Sequence, residues 1–343
     1  MNIVVSSNAF LPRFGGTIQY ARMLARAFRD AGHDVTVLTR TPGDTHIVDG
    51  VPILRCPSWR EKTDLAKRTD ILLQVESSWQ DALPFMLKGV PWFPTLHRGR
   101  NHVPLTQLKS WLRMQFERIA FHTGHTIGVS HYALSSWGVE GTCIGSSYED
   151  RLFFSPDSTK ERDIDLFFIG RMTYDKGALV LLEAIRKIIA ADQLILRKVY
   201  FAGTGPALEE LRDGCAVLSG LVEIRTLGAV PTSEDVAGYL QRTKILVFPT
   251  TSRWLEASPI VPLEGLACGC YVVASDIGGT RENVGPKGFL VRPDDIDHLA
   301  ETLTRILKDP PPFDETTVQD FLLPRKVQAT ATCYLQLFEK SLH

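Results

Sequence analysis

Short β-branched and apolar runs alternate along this chain with longer stretches whose apolar positions recur at helical spacing. The first run, NIVVSS, leads into TIQYARMLARAFRDAGHDVTVLTR, where Ile18, Met23, Leu24 and Phe28 form an apolar stripe. Gly32 closes that helix and DVTVLT is the next strand, giving one βαβ unit. VPILRC, DILLQV, WFPTLH and HTIGVS predict further strands, with helices at DALPFMLKG and LTQLKSWLRMQFERIAF. Strands this apolar belong in a parallel sheet covered on both faces. The mixed-charge, turn-forming stretch 146–163, SSYEDRLFFSPDSTKERD, then interrupts the pattern and predicts a linker.

Beyond it the alternation restarts, with strands at IDLFFIG, RKVYFAG, VEIRTLG, KILVFP and YVVAS. Helices fall at ALVLLEAIRKIIAA, ALEELRDGCAVL and TSEDVAGYLQRT, the last capped by Thr232 or Ser233. The predicted class is α/β, with two doubly wound parallel-sheet domains at 1–150 and 151–325. Residues 326–343 are expected to form a C-terminal helix packing back on the first domain, and DPPPF (309–313) to be only a break before it. Sheets of this kind bind ligands beyond the carboxyl ends of their strands, and two facing sheets would share a cleft.

Composition narrows the possibilities. A chain of 343 residues suffices for two full cores, and 38 Lys plus Arg against 39 Asp plus Glu leave no excess charge to favour nucleic acid. No apolar run approaches the roughly 18 residues that span a bilayer. The start, MNIVVSSNAFLPRFGG, lacks the basic region and cleavage site of a signal peptide, so a cytoplasmic protein is expected. None of the six cysteines forms a CxxC pair, and Cys268-Gly-Cys270 is too tight for usual zinc spacing. Buried, reduced thiols are expected.

Three strand-end segments carry candidate chemistry. In FIGRMTYDKGA, Gly170 permits a tight exit, while Arg171 and Lys176 bring two cations to a helix start, a combination suited to a diphosphate. A surface loop with unrelated charges is the plain alternative. In FAGTGP, Gly203 and Gly205 either let a ligand approach the backbone or simply form a strand-to-helix turn. Gly15 and Gly16, just before the first helix, admit the same two explanations.

In EASPIVPLE, Glu256 and Glu264 stand eight residues apart, but Pro259 and Pro262 argue against a continuous helix. Pro262 suits a first helical turn, which puts Glu256 in a loop and Glu264 in that turn. There a ligand hydroxyl or the helix dipole alone accounts for Glu264.

GRMTYDKG, GTGP, E-x7-E and GLACGCYVVASDIGGTRENV, in this order and spacing, resemble the retaining GT-B glycosyltransferases of family GT4. GGTIQYARMLARAFRDAGHDVTVLT and PWFPTLHRG agree, so the resemblance covers nearly the whole chain. It implies a GT-B architecture, two Rossmann-like domains facing a central cleft, and sugar transfer from a nucleotide-diphosphate sugar to an acceptor hydroxyl. Arg171 and Lys176 are then expected to neutralise the diphosphate, beside Gly170, Gly203 and Gly205. Glu264 would accept hydrogen bonds from the ribose, and Glu256 would contact the donor sugar with the Ser258–Pro259–Ile260 loop. Gly16, with Gly15 before it, matches the glycine loop that approaches phosphates or sugar. His97 matches the family histidine beside donor sugar and acceptor.

The resemblance makes His97, Arg171, Lys176 and Glu256 the catalytic set. Fixed cations stabilise the charge growing on the leaving phosphate. No metal or cofactor is implied, no DxD occupies a loop, and retention would follow front-side attack. UDP-sugars are slightly preferred to GDP-sugars, and the acceptor is a small molecule, a glycan or lipid-linked. The chain departs from the pattern at IGSSYED, where NGVD is frequent, at Ala257-Ser258, where Gly-Phe is common, and at Tyr271, where proline is frequent. The first domain is also short.

An NAD-dependent oxidoreductase would need G-x-G-x-x-G after a strand and a later acidic residue, and the chain has neither. A non-catalytic nucleotide-sugar-binding GT-B protein and a nucleotide-sugar epimerase are the alternatives. Between 98 and 125, Arg98, Arg100, Lys109, Arg113 and Arg118 oppose only Glu117, and Trp111, Leu112 and Phe116 add apolar surface. Such a helix either docks peripherally on anionic lipid, here the inner membrane surface, or buries its apolar side as an ordinary domain helix.

Overall fold

The run NIVVSS becomes β1 (Asn2–Ser7), buried from Ile3 onward, and the stripe behind it becomes α1 (Gly16–Asp30), with Ile18, Met23, Leu24 and Phe28 all buried. These lie in a computed structural model that describes the chain except residues 14, 100–107, 157–160, 192–194 and 343, and the side chains of 108–114 and 116. After α1 come β2 (Asp34–Thr39), β3 (Ile47–Val48), β4 (Val51–Arg55), α2 (Trp59–Ala66), β5 (Ile71–Gln74) and α3 (Trp79–Met86). Next are β6 (Trp92–Leu96), α4 (Leu108–Thr123), β7 (Ile127–Gly128), α5 (His131–Trp137) and β8 (Thr142–Cys143). α2 opens on a reciprocal cap, the Ser58 hydroxyl accepting from the Glu61 amide and the Glu61 carboxylate from the Ser58 amide.

The second series is β9 (Ile164–Ile169), α6 (Ala178–Ala191), β10 (Lys198–Ala202), α7 (Leu208–Ala216), β11 (Glu223–Gly228), α8 (Ser233–Gln241) and β12 (Thr243–Phe248). It continues with α9 (Val261–Ala267), β13 (Tyr271–Ser275), α10 (Arg281–Val284), β14 (Gly288–Val291), α11 (Ile296–Lys308), α12 (Glu315–Leu322) and α13 (Val327–Leu342). Thr232 is the cap of α8, its hydroxyl accepting from the Asp235 amide. Two helices rather than one follow the prolines of 309–313, because Asp314 caps α12 with bonds from the amides of Thr316 and Thr317.

Strand order is β3-β4-β2-β1-β5-β6-β7-β8 in one sheet and β11-β10-β9-β12-β13-β14 in the other. Every pairing is parallel except β3 against β4. From β4 to β7, and again from β11 to β14, the strands run third, second, first, fourth, fifth, sixth in chain order. This is Rossmann-like winding, which reverses between β1 and β5 in one sheet and between β9 and β12 in the other. β9 shows the expected period of two. Leu166 and Phe168 enter a core with Leu181 and Ile185 of α6, whereas Phe167 enters a second core with Leu240 and Leu263.

The chain divides into two units, Met1–Ser147 with Arg325–His343, and Tyr148–Pro324. α13 therefore belongs with the first sheet, where Tyr334 meets the Tyr20 hydroxyl at 3.0 Å and Phe338 packs on Phe28 and Phe93. Within the predicted linker, Tyr148 and Phe153 are buried in the second unit's core, so 148–153 is fastened rather than free. Residues 157–160 of that stretch lie outside the described residues.

All six cysteines are free; Cys215, Cys268 and Cys270 are buried, but Cys56 and Cys333 are exposed, correcting the expectation of burial for those two. Of the 98–125 surface, Arg100 and the side chains of Lys109, Trp111, Leu112, Arg113 and Phe116 lie outside the described residues. Arg98 is ion-paired with buried Glu117, and Arg118 is exposed. Among the described residues, no helix is long and apolar enough to cross a membrane.

Candidate active site

At the carboxyl end of β9 the chain leaves through Gly170 and Arg171 into a 3-10 turn, Tyr174–Lys176, just before α6. At the end of β12, the loop 249–260 carries Glu256. These strands flank the point where the winding reverses, so their loops border the crevice such sheets use for ligands. The loops are fastened to each other. Gly177, at φ 78°, sits so near Pro249 that a Cβ would lie 1.9 Å from the Pro249 carbonyl oxygen. The Asp175 carbonyl accepts from the Thr251 amide at 2.9 Å and from its hydroxyl at 3.2 Å.

Lys176, caught between these contacts, donates to Glu256 Oε1 at 2.5 Å, with only 14% and 12% of the two side chains exposed. The Thr250 hydroxyl donates to the same oxygen at 3.2 Å. The Trp254 ring lies 5.3 Å from Lys176 Nζ and 5.9 Å from Arg171 Cζ, centroid to atom. Arg171 itself is exposed.

The far side of the Glu256 loop is held by the segment after β13. The Gly279 amide donates to the Glu256 carbonyl at 2.7 Å. Buried Asn283 of α10 donates to Ser258 Oγ and to the Pro259 carbonyl, both at 2.9 Å. The loop then passes through Ile260 into α9, with proline and Glu264 in the first turn as predicted. The Glu264 carboxylate is paired with nothing among the described residues, and burial pushes it up to about 7.

Gly203 and Gly205 have a reason within the chain itself. A Cβ on Gly203 would lie 1.8 Å from the Gly170 carbonyl oxygen, and one on Gly205 2.4 Å from that of Met172. The turn after β10 thus interlocks with the turn after β9, through Met172 N–H to Thr204 O at 2.8 Å and Ala207 N–H to Met172 O at 2.9 Å. Gly170 itself meets only ordinary contacts, the ring of Phe168 at 3.5 Å.

In the first unit, a Cβ on Gly16 would meet nothing within 4 Å, and one on Gly15 only Ile18 at 3.9 Å, so packing does not require glycine at either position. Thr17, Thr95 of β6 and residues after β5 and β6, among them Glu76, Ser77 and His97, line a cavity of about 140 Å³. His97 Nε2 and Ser77 Oγ are buried without a hydrogen-bond partner among the described residues. The Tyr20 ring packs against the imidazole, 5.0 Å between centroids, and burial pushes the histidine down to about 3, so it is neutral. Buried polar atoms are nearly always partnered. Two orphans in one cavity are placed to be satisfied by a hydroxyl-bearing ligand.

The structure thus gathers Gly170, Arg171, Lys176, Gly203, Gly205, Glu256, Ser258, Pro259, Ile260 and Glu264 at the carboxyl end of the second sheet. Gly15, Gly16 and His97 lie at that of the first. Residues 163–309 match the family described as glycosyl transferases group 1. That segment, most of the second unit, is where the chain matches the group 1 glycosyltransferases.

The chain is 26% identical over 331 residues to the phosphatidyl-myo-inositol mannosyltransferase of Mycolicibacterium smegmatis, covering 86% of this chain and 82% of that one. An uncharacterized glycosyltransferase of Methanocaldococcus jannaschii is 27% identical over 186 residues, 53% of this chain and 45% of that protein. For that relative the match therefore spans less than half its length. The solved structure of Anabaena HepE in complex with UDP has the same GT-B fold, with a TM-score of 0.78, 16% identity and coverage of 99% of this chain and 100% of that one.

Sequence reasoning missed Trp254, Thr250, Asn283 and Ser77. Trp254 stands two residues before Glu256, between KILVFP and EASPIVPLE, and Asn283 lies within GGTRENV. Neither belongs to a periodic pattern, and only the fold shows what each one faces.

Proposed function

We propose that this protein moves a sugar from a nucleotide-diphosphate sugar to an acceptor hydroxyl with retention, by front-side attack and without a metal. The observation that carries the proposal is the Lys176–Glu256 pair at the winding reversal, with Arg171 beside it. A lysine ammonium has three donors, and Glu256 takes one, leaving two for phosphate oxygens. Arg171 and Lys176 would oppose the charge that grows on the leaving diphosphate as the glycosidic carbon loses it. Glu256, held by Lys176 and Thr250, is a weak nucleophile, which favours a departing phosphate oxygen as the acceptor of the hydroxyl proton. Its second oxygen is left for a sugar hydroxyl. Glu264 would accept from the ribose, and neutral His97 with Ser77 would bond hydroxyls of sugar or acceptor.

UDP-sugars are slightly preferred to GDP-sugars, a reading supported by the UDP complex of the structural relative. The mannosyltransferase relative is named for a phosphatidyl-inositol, which supports a polyol or lipid-linked acceptor among the small-molecule, glycan and lipid-linked classes. A cytoplasmic location, with peripheral contact at the inner membrane surface through 98–125, belongs to the same proposal; sedimentation with anionic liposomes tests it. The central test is thermal stabilisation by UDP, GDP, dTDP and ADP with and without EDTA, followed by donor hydrolysis. Stabilisation by one diphosphate that survives EDTA is expected. If none stabilises the protein, the proposal fails, and binding without hydrolysis or transfer to any acceptor would point to a non-catalytic binder.

A further inference from the structure

Arg171 and Lys176 approach one aromatic ring, and their other surroundings differ. Lys176 has a carboxylate partner, Glu256, whereas Arg171 is exposed and has no carboxylate partner among the described residues. The group that faces both is the indole of Trp254, at 5.9 Å from Arg171 Cζ and 5.3 Å from Lys176 Nζ. Both distances fall inside the range where a ring quadrupole attracts a cation.

We infer that Trp254 is a positioning residue that holds Arg171 and Lys176 ready for the donor's diphosphate; the inference rests on the function proposed above. Long cationic side chains lose rotamer freedom when they grip a ligand, and two neighbouring cations repel until the ligand arrives. A carboxylate beside each would orient them but would also neutralise them and compete with phosphate. An aromatic face orients a cation and leaves its charge intact.

Trp254 shares one frame with the cations it faces. Its amide donates to the Thr251 carbonyl at 3.2 Å, and Thr251 is bonded to the Asp175 carbonyl in the turn that carries Lys176. The loop that bears the ring and the turn that bears Lys176 are therefore braced together by backbone.

The test compares Trp254→Leu, which keeps an apolar side chain without a π face, with Trp254→Phe, which keeps the face on a smaller ring. Calorimetric titration uses UDP and GDP, with uridine and guanosine as ligands lacking the diphosphate. Trp254→Leu is expected to weaken the preferred diphosphate about ten-fold, and Trp254→Phe by less than about three-fold. Donor KM should rise in step, while nucleoside binding and the melting temperature stay near wild type. Trp254→Met replaces the leucine variant if that one melts early.

Wild-type affinity in the leucine and methionine variants would overturn the inference. So would equal loss in the phenylalanine variant, which would mean that shape rather than the π face matters. Parallel loss of nucleoside binding would mean direct stacking on base or ribose, and would overturn it as well. If wild type binds neither diphosphate, the underlying function falls and this inference with it. Wild-type binding with an unaffected Trp254→Leu removes the inference alone.

Discussion

Lys176 has two partners to satisfy, a carboxylate in the resting protein and a phosphate in the proposed reaction, and substitution separates them. Lys176→Ala leaves the Glu256 carboxylate, 12% exposed, with only the Thr250 hydroxyl among the described residues. The expected cost in stability is roughly 1–3 kcal/mol, that of a largely buried charged acceptor stripped of its ion-pair partner. The expected loss of turnover is about 100- to 1,000-fold, the range for removing one preorganised group that stabilises developing charge. The double variant Lys176→Met, Glu256→Gln should recover most of the stability in denaturant titrations and none of the turnover. Recovery of turnover would contradict the role given to Lys176.

Glu264 makes a separate prediction through pH. Its carboxyl, at 4.5 when solvated, is pushed up to about 7 by burial, so between these values the folded state holds a proton that the unfolded chain has lost. Stability should fall as pH rises through that window and level off above it. Glu264→Gln carries no such penalty and should gain roughly 2 kcal/mol over wild type at pH 8, with almost no gain at pH 4. If the ionised carboxylate receives ribose hydroxyls, UDP binding should release protons near pH 6.5, as measured by calorimetry in buffers of different ionisation enthalpy. A gap between variant and wild type that does not change with pH would show that Glu264 is solvated.

At the scale of elements, the site depends on how two loops fit together. Gly177 combines a left-handed φ of 78° with a Cβ position 1.9 Å from the Pro249 carbonyl oxygen, so Gly177→Ala must push apart the turn and loop that place Lys176 and Glu256. A loss of at least roughly 2 kcal/mol is expected, with a larger proportional fall in nucleotide affinity than in helix content by circular dichroism. Wild-type affinity in that variant would show that the loops tolerate separation.

This level was also the least legible in the sequence. Most long strands and helices announced themselves through apolar runs and stripes such as Ile18, Met23, Leu24 and Phe28 in α1, but α11, whose stripe of Leu299, Leu303 and Ile306 is as regular, was not predicted. Two-residue β3 and β8 and the four-residue α10 are too short to carry a period, whereas the strand predicted at HTIGVS is present as the two-residue β7. α2 has a usable signal in the Ser58 and Glu61 cap, beside only a weak apolar stripe. The prolines of EASPIVPLE did place Glu256 in a loop and Glu264 in a helical turn. The bond from Lys176 to Glu256 spans 80 residues, and no local spacing reveals it. The glycines after β10 were legible as a turn, but their close approach to Gly170 and Met172 needed the neighbouring strand.

For the whole molecule, the chain repeats one winding twice and then returns to the first sheet with its final helix. Tyr334 and Phe338 of α13 are fully buried against α1 and β6, Tyr334 by a 3.0 Å hydroxyl contact with Tyr20 and Phe338 against the rings of Phe28 and Phe93. Removing such aromatic contacts from a core costs roughly 3–5 kcal/mol per ring, against about 5–15 kcal/mol for the stability of a whole domain. A chain ending at residue 325 should therefore lose much of the first unit's stability, although the deletion is remote in sequence from β1 and α1. Hydrogen exchange distinguishes this from general unfolding. Amides of α1 and β6 should exchange faster, while those of β9 and β12, whose ladders lie in the second sheet, should keep their protection. Tyr334→Phe should cost only about 1 kcal/mol, since the ring stays and one hydroxyl pair is lost. Unchanged protection of α1 in the shortened chain would mean that the first sheet does not rely on its C-terminal helix. Equal loss of protection in both units would mean that they unfold as one.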